Sequence, residues 1–147
     1  MEKKSLIEKL ITQQHNSIAE LENKIADIHS NVDVDESDTI DPEDLSNQSV
    51  AAEEELLFKQ QLSKAKADLN TMLAIDFGTK NNVEPGAYVK TEKFNFLVGY
   101  ATIPFDFEGN HIVGISTDSP IYKEMKGLKN GDSFRVSGNE YLIKEIN

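Results

Sequence analysis

Cysteine and tryptophan are both absent from the 147 residues. Without cysteine there are no disulfides and no thiolate metal sites, and three scattered histidines, His15, His29 and His111, make no zinc pattern. Any metal must therefore be held by oxygen. Long hydrophobic runs are missing too: none approaches the roughly 20 apolar residues that cross a bilayer, so no membrane span and no membrane partner are expected. The opening segment, MEKKSLIEKLITQQ, has charges inside its apolar pattern and no small-residue cleavage site, so it does not read as a secretory signal. A cytoplasmic protein is the expectation. The 38% hydrophobic content suits one compact domain or two small ones.

Positive charge is missing from one place in particular. Residues 33–55 contain no Lys or Arg, yet they hold Asp33, Asp35, Glu36, Asp38, Asp41, Glu43, Asp44, Glu53, Glu54 and Glu55. These are ten of the 26 acids, which leaves 16 acids against 15 bases, so the net charge of -11 is almost wholly local. A segment so acidic repels free nucleic acid, and RNA or DNA is expected to be met only through a partner. On composition alone it is a solvated, self-repelling tip, and Glu53, Glu54 and Glu55 can simply face water. An EF-hand loop is set aside, since Asp33 and Asp35 lack the mid-loop Gly and the terminal Glu at loop spacing.

The flanks of the acidic segment show how it is carried. Ile7, Ile11, Gln14, Ile18, Leu21, Ile25 and Ile28 follow each other by fours and threes, the heptad seam of a coiled coil, over a helix expected at 3–30. Gln14 is the one polar seam residue and suits a register-fixing role. At about 1.5 Å per residue, about 28 residues make a rod of roughly 40 Å. A second seam, Phe58, Leu62, Ala65, Leu69 and Met72, belongs to a return helix that ends near residue 73. Either Asp41, followed by Pro42, or Ser49 can cap its start. The two seams are expected to fold back as an antiparallel hairpin with the acids at its far end.

After a linker at 75–82 the texture changes. Short alternating segments at 87–91, 94–101, 112–115, 133–136 and 141–146 are rich in Val, Ile, Phe and Tyr, and Gly- and Asn-containing turns separate them. One short helix interrupts them, with Ser119 as cap, Pro120 in the first turn, and Ile121, Met125 and Leu128 as its apolar face. The expectation is an α+β chain: a helical hairpin over 1–76, then a small, bent antiparallel sheet domain over 83–147 with one helix filling its open side.

Ile115-Ser116-Thr117-Asp118-Ser119-Pro120-Ile121, then Gly127-Leu128-Lys129-Asn130-Gly131-Asp132 and Tyr141-Leu142-Ile143, resemble the C-terminal domain of the bacterial Gre transcript cleavage factors. That family's pattern is a strand, Ser-Pro, a short helix, Gly-Lys-x-x-Gly-Asp and a closing Tyr-containing strand. The sequence resemblance covers about half the chain. The other half agrees in architecture, because the family joins an N-terminal antiparallel coiled coil to an FKBP-like sheet domain.

The resemblance implies RNA polymerase as partner. Gre factors dock the sheet domain at the mouth of the polymerase secondary channel and send the coiled coil down it, where tip carboxylates help hold the second magnesium ion while the polymerase cuts backtracked RNA. Carried over by position, Asp118, Ser119 and Pro120 match the polymerase-contacting loop. Asp44 matches the first acid of the tip motif, with Asp41 and Glu43 beside it as further tip carboxylates, and Asp33, Asp35, Glu36 and Asp38 are candidate magnesium contacts inside the polymerase. The chain would have no cofactor of its own, sharing the polymerase's magnesium. It would act as a monomeric accessory factor rather than an enzyme.

The tip departs from the family. The motif Gly-Asp-Leu-Ser-Glu-Asn is matched by Glu43-Asp44-Leu45-Ser46-Asn47-Gln48, so Asn47 stands where the family has Glu. The acidic loop is enlarged, and Lys24 and Lys59 are the nearest bases. Two outcomes stay open, stimulation of RNA cleavage and inhibition by blocking the channel. Two other readings differ in class. An FKBP-like prolyl isomerase would use Phe94, Phe96, Tyr100, Phe105 and Phe107 as its site, and a coiled-coil adaptor would pair its first helix between chains.

Overall fold

The structure, a computed structural model, describes the backbone of residues 2–32 and 42–147 and the side chains of 2–30 and 49–147. The order is α1 (Glu2–Val32), α2 (Pro42–Ala74), β1 (Tyr88–Thr91), β2 (Asn95–Val98), β3 (Phe105–Phe107), β4 (Asn110–Ile115), α3 (Pro120–Met125), β5 (Ser133–Val136) and β6 (Asn139–Ile146). It is an α+β fold. The earlier of the two candidate starts holds for the second helix, which opens on Pro42. The chain divides into two units, one of Glu8–Asn70 and one of the residues up to Ile7 together with Thr71–Asn147.

In the Glu8–Asn70 unit, Ile11, Gln14, Ile18, Leu21, Ile25 and Ile28 are the half-buried positions of α1 that follow the heptad spacing. On α2 the matching stripe is Ala51, Glu55, Phe58, Leu62 and Ala65, then the buried Leu69. Gln14 Nε2 donates to Ala65 O at 2.9 Å, Lys24 Nζ lies 5.5 Å from the Phe58 ring centre, and His29 Nε2 meets Glu55 Oε1 at 2.6 Å. As the α1 member of these contacts advances along the chain its α2 partner recedes, so the helices run antiparallel. The hydrogen bond from Gln14 occupies a backbone carbonyl of the facing helix, which ties the pairing to one register.

In the other unit a six-stranded sheet has the order β3-β4-β2-β1-β6-β5. It is not purely antiparallel, as the alternation of short strands suggested: β2 and β4 run parallel, with Val98 opposite Ile115. Residues 99–104 carry the chain from β2 across β4 to β3, a strand not expected from sequence. A tight turn with Glu108 at φ 50° and Gly109 at φ 80° then sends β4 back alongside β2. Positive φ at both central positions is the hairpin turn whose twist matches that of the strands.

One sheet face carries Val89, Phe96, Val98, Ile115, Phe134, Ile143 and Ile146, packed with Tyr122 and Met125 from α3. Alternation along β1 and β2 puts Tyr88 and Leu97 on the opposite face, where both are fully buried. Glu2, in the first turn of α1, is bonded there to Tyr88 and Lys90. The segment between α2 and β1 is ordered by its own contacts. Asp76 accepts from Gly78 N at 2.9 Å and Lys80 Nζ at 3.2 Å, and a Cβ on Gly86 would lie 1.9 Å from Asp76 O.

Candidate functional site

Two regions carry the residues singled out from sequence. Of the acidic segment, Asp33, Asp35, Glu36, Asp38 and Asp41 lie outside the described residues. Glu43 and Asp44 fall in the first turn of α2 by backbone, and their side chains are outside the description as well. Acids in a first turn meet the positive end of the helix dipole, which favours the helix start. Asp44 and Asn47 are three residues apart in α2 by backbone. Among the described residues no group of three His, Asp or Glu could hold a metal.

The far end of the described hairpin corrects one expectation. Glu53 and Glu54 are exposed, but Glu55 takes a seam position and its side chain is only 19% exposed. It pairs with His29 across the hairpin and with Lys59 Nζ at 2.8 Å one turn on. The hydrogen bond from Lys59, helped by the charges of His29 and Lys59, holds its carboxyl below the usual range. Lys59 and Lys24, the bases nearest the acids, are thus engaged with Glu55 and the Phe58 ring.

The second region is the turn between β4 and α3. Ser119 is the N-cap of α3, with β-region φ -72° and ψ 146°. Its hydroxyl accepts from Tyr122 N at 3.3 Å and donates to Ser116 O at 2.7 Å, so it closes the turn and satisfies a first-turn N–H together. Pro120 follows at the first helical position, where no N–H is needed. Ser119 is thus occupied by the backbone, while Asp118 and Pro120 on either side are exposed. Tyr122 and Met125 anchor the short helix in the core. The result is a rigid turn presenting one carboxylate and one apolar ring to solvent.

Beside this turn lies the connection 99–104, whose geometry the periodicity did not reveal because 94–101 reads as one strand. The strand stops at Val98. Gly99 N donates to Ile115 O at 2.8 Å, Thr102 N to Gly114 O at 3.1 Å, and Gly114 N to Thr102 Oγ1 at 2.8 Å. A Cβ on Gly114 would lie 2.2 Å from Tyr100 O, so the crossing requires glycine there. Gly99, Pro104 and Gly114 were the available signals of a crossing.

Of the aromatics offered for an isomerase site, Phe96 is in the core, edge-on to Phe134 and Tyr141, while Phe134 and Tyr141 stack with centres 5.3 Å apart. Phe94 is 38% exposed and faces His111 with ring centres 6.3 Å apart. Phe105 and Phe107 are half-buried on β3, and Tyr100 is half-buried in the crossing. No described helix is long and apolar enough to cross a membrane.

No protein-family model and no curated protein sequence matches the chain. Among solved structures, the chain is similar to the GreA factor homolog 1 (Gfh1) protein of Thermus thermophilus, at 15% identity and a TM-score of 0.36, over 97% of this chain and 93% of that one. A second structure, of the transcription factor Gfh1, is 16% identical with a TM-score of 0.36, over 99% of this chain and 94% of that one.

Proposed function

We propose that the chain is a Gre-type accessory factor that binds RNA polymerase in the cytoplasm and brings its acidic segment to the active centre through the secondary channel. One observation carries the reading. A long antiparallel helical hairpin, with helices of 31 and 33 residues, has the acidic segment at its connection and is followed by a sheet unit that presents Asp118-Ser119-Pro120 as a rigid turn. The support is this chain's own motifs and architecture. At about 1.5 Å per residue each helix is roughly 45 Å long, a reach that a compact domain of this size has no structural need for.

In this reading Asp118 and Pro120 contact polymerase, and Ser119 holds the turn that presents them. Asp44, with Asp41 and Glu43, supplies carboxylate at the tip, and Asp33, Asp35, Glu36 and Asp38 enlarge it. Every donor in that segment is oxygen, which suits the magnesium that belongs to the polymerase. The ion, when bound, supplies the activation of water and the stabilisation of the leaving oxygen in phosphodiester hydrolysis. This chain contributes negative charge and ligand oxygen. RNA is met only within the complex, and the factor works as a monomer.

Asn47, in place of the family's Glu, favours a second reading in which the factor occupies the channel and slows nucleotide addition without stimulating cleavage. The neutral amide offers a carbonyl oxygen but no charge. A stalled, backtracked complex incubated with the purified chain separates the two. Shortened RNA that depends on Asp44 supports cleavage, whereas full-length RNA with slower nucleotide addition supports blocking. Failure to co-purify with core polymerase removes both.

A further inference from the structure

Ile103 is 83% exposed, more than any other large apolar side chain among the described residues. Its exposure does not come from a slack loop. The backbone on its N-terminal side is pinned to the end of β4 by Gly99 N to Ile115 O, by the paired bonds between Thr102 and Gly114, and by the close approach of Tyr100 O to Gly114. A β-branched side chain has few rotamers to lose, so holding one in water on a fixed backbone leaves apolar area ready for a partner at small entropic cost.

The surroundings of Ile103 define what fits against it. The crossing 99–104 and the turn 116–120 both leave the carboxyl ends of the neighbouring parallel strands β2 and β4, at the level where Val98 pairs with Ile115. Ala101 and Pro104 are exposed in the crossing, and Asp118 and Pro120 in the turn. Asp118 has no ion pair among the described residues, and neither segment contains a Lys or Arg. The two segments thus offer apolar side chains and one carboxylate, while the nearby Lys80 is already paired with Asp76 and Glu84 and Lys123 stands exposed one turn on in α3. The complement is therefore an apolar surface with a cationic group opposite Asp118.

We infer that Ile103 is an apolar contact of the docking surface that also contains Asp118 and Pro120, seated against an apolar patch of RNA polymerase that lies beside a cationic group. The occupant rests on the function proposed above, and the position and chemistry of the contact rest on the crossing itself.

The test is equilibrium binding of the fluorescently labelled full chain to purified core RNA polymerase, with the wild type, Ile103→Ser, Ile103→Leu and Asp118→Ala compared. Ile103→Ser is expected to weaken binding about tenfold at unchanged melting temperature, and Ile103→Leu to stay within about twofold of wild type. If the wild type binds and Asp118→Ala weakens it while Ile103→Ser does not, the Ile103 contact is wrong and the polymerase reading stands. If the wild type does not bind, that reading falls and takes the occupant of Ile103 with it. Sedimentation of the free chain adds a check: self-association of the wild type that Ile103→Ser abolishes would assign the patch to a second copy and overturn the inference.

Discussion

The Glu2 carboxylate accepts a hydrogen bond from Asn110 Nδ2 at 2.6 Å, joining the first turn of α1 to the start of β4 across 108 positions of sequence. The same carboxylate accepts from the Tyr88 hydroxyl at 3.2 Å and pairs with Lys90 Nζ at 2.9 Å, while Asn95 Nδ2 donates to the Tyr88 hydroxyl at 2.8 Å. Burial, with the charge of Glu2 adding to it, pushes the Tyr88 phenol up to about 12. Glu2→Ala leaves the Tyr88 O–H and Lys90 without their shared acceptor. The expected loss is about 1–3 kcal/mol, or a few degrees of melting temperature for each kcal/mol in a chain of this length. Tyr88→Phe should then cost less in the Glu2→Ala background than in the wild type. A thermal double-mutant cycle with no coupling would show that the network holds nothing together.

Lys3, next to Glu2, gives a pH dependence with a definite sign. Its ammonium donates to Gly78 O at 2.8 Å and Asn147 O at 2.9 Å, yet burial, and then the charge of Lys80, lower its pKa to about 8 against an opposing pull from Asp76. The folded chain thus gives up this proton near pH 8, and the unfolded chain holds it until its ordinary value of 10.5. Between those values the unfolded state binds more protons, so this group makes the fold more stable as pH rises through the window. Tyr88, Lys80 and Lys90, whose values are raised, act oppositely above about pH 10. Melting temperatures of the wild type minus those of Lys3→Met should therefore climb from pH 7.5 to pH 10. A flat difference would refute the assignment.

Gly114 tests the crossing. Its Cβ position is already taken by Tyr100 O, at 2.2 Å, and Thr102 Cγ2, at 2.8 Å, so Gly114→Ala must push the crossing off β4. Overpacking of this kind costs about 1–3 kcal/mol. Urea denaturation should show the loss as a lower midpoint at unchanged slope. Hydrogen exchange should report faster exchange at the Thr102 amide, whose acceptor is Gly114 O at 3.1 Å. Protection at Thr102 equal to wild type would mean that the crossing does not depend on the glycine.

What was legible in the sequence follows from how local each signal is. The seam from Ile7 to Ile28 repeats often enough to fix helix, face and antiparallel partner, and Ser119-Pro120 encodes its cap within two residues. Glu55 was misread because its charge outweighed its spacing: it stands four residues after Ala51 and three before Phe58, which is seam spacing, and there His29 and Lys59 meet its carboxylate. The parallel pairing of β2 with β4 was not legible, because it depends on residues 99–102 crossing Gly114, a contact between segments a dozen residues apart that leaves no periodicity. β3 was missed for its brevity, three residues between Pro104 and the turn at Glu108. The acidic segment was legible as composition, and its side chains lie outside the described residues.

Asn47 offers the sharpest functional test, because one substitution restores what the Gre-type tip motif has there. In α2 it follows Asp44 by three residues, the spacing at which two side chains can serve one ion. A carboxylate binds magnesium through a charged oxygen, whereas an amide offers a neutral one. If the segment reaches the polymerase magnesium, Asn47→Glu should raise cleavage of backtracked RNA about tenfold or more, and the gain should vanish in the Asn47→Glu, Asp44→Ala double variant. Manganese, which takes the same oxygen ligands, should narrow the gap between wild type and Asn47→Glu if the missing charge is what limits the wild type. Binding to core polymerase is measured for both chains alongside, so that cleavage is compared at equal occupancy. A variant that binds as well as wild type and cleaves no faster would place the limit on cleavage in the enlarged loop around Asp33, Asp35, Glu36 and Asp38. The channel-blocking reading would then be the one to pursue.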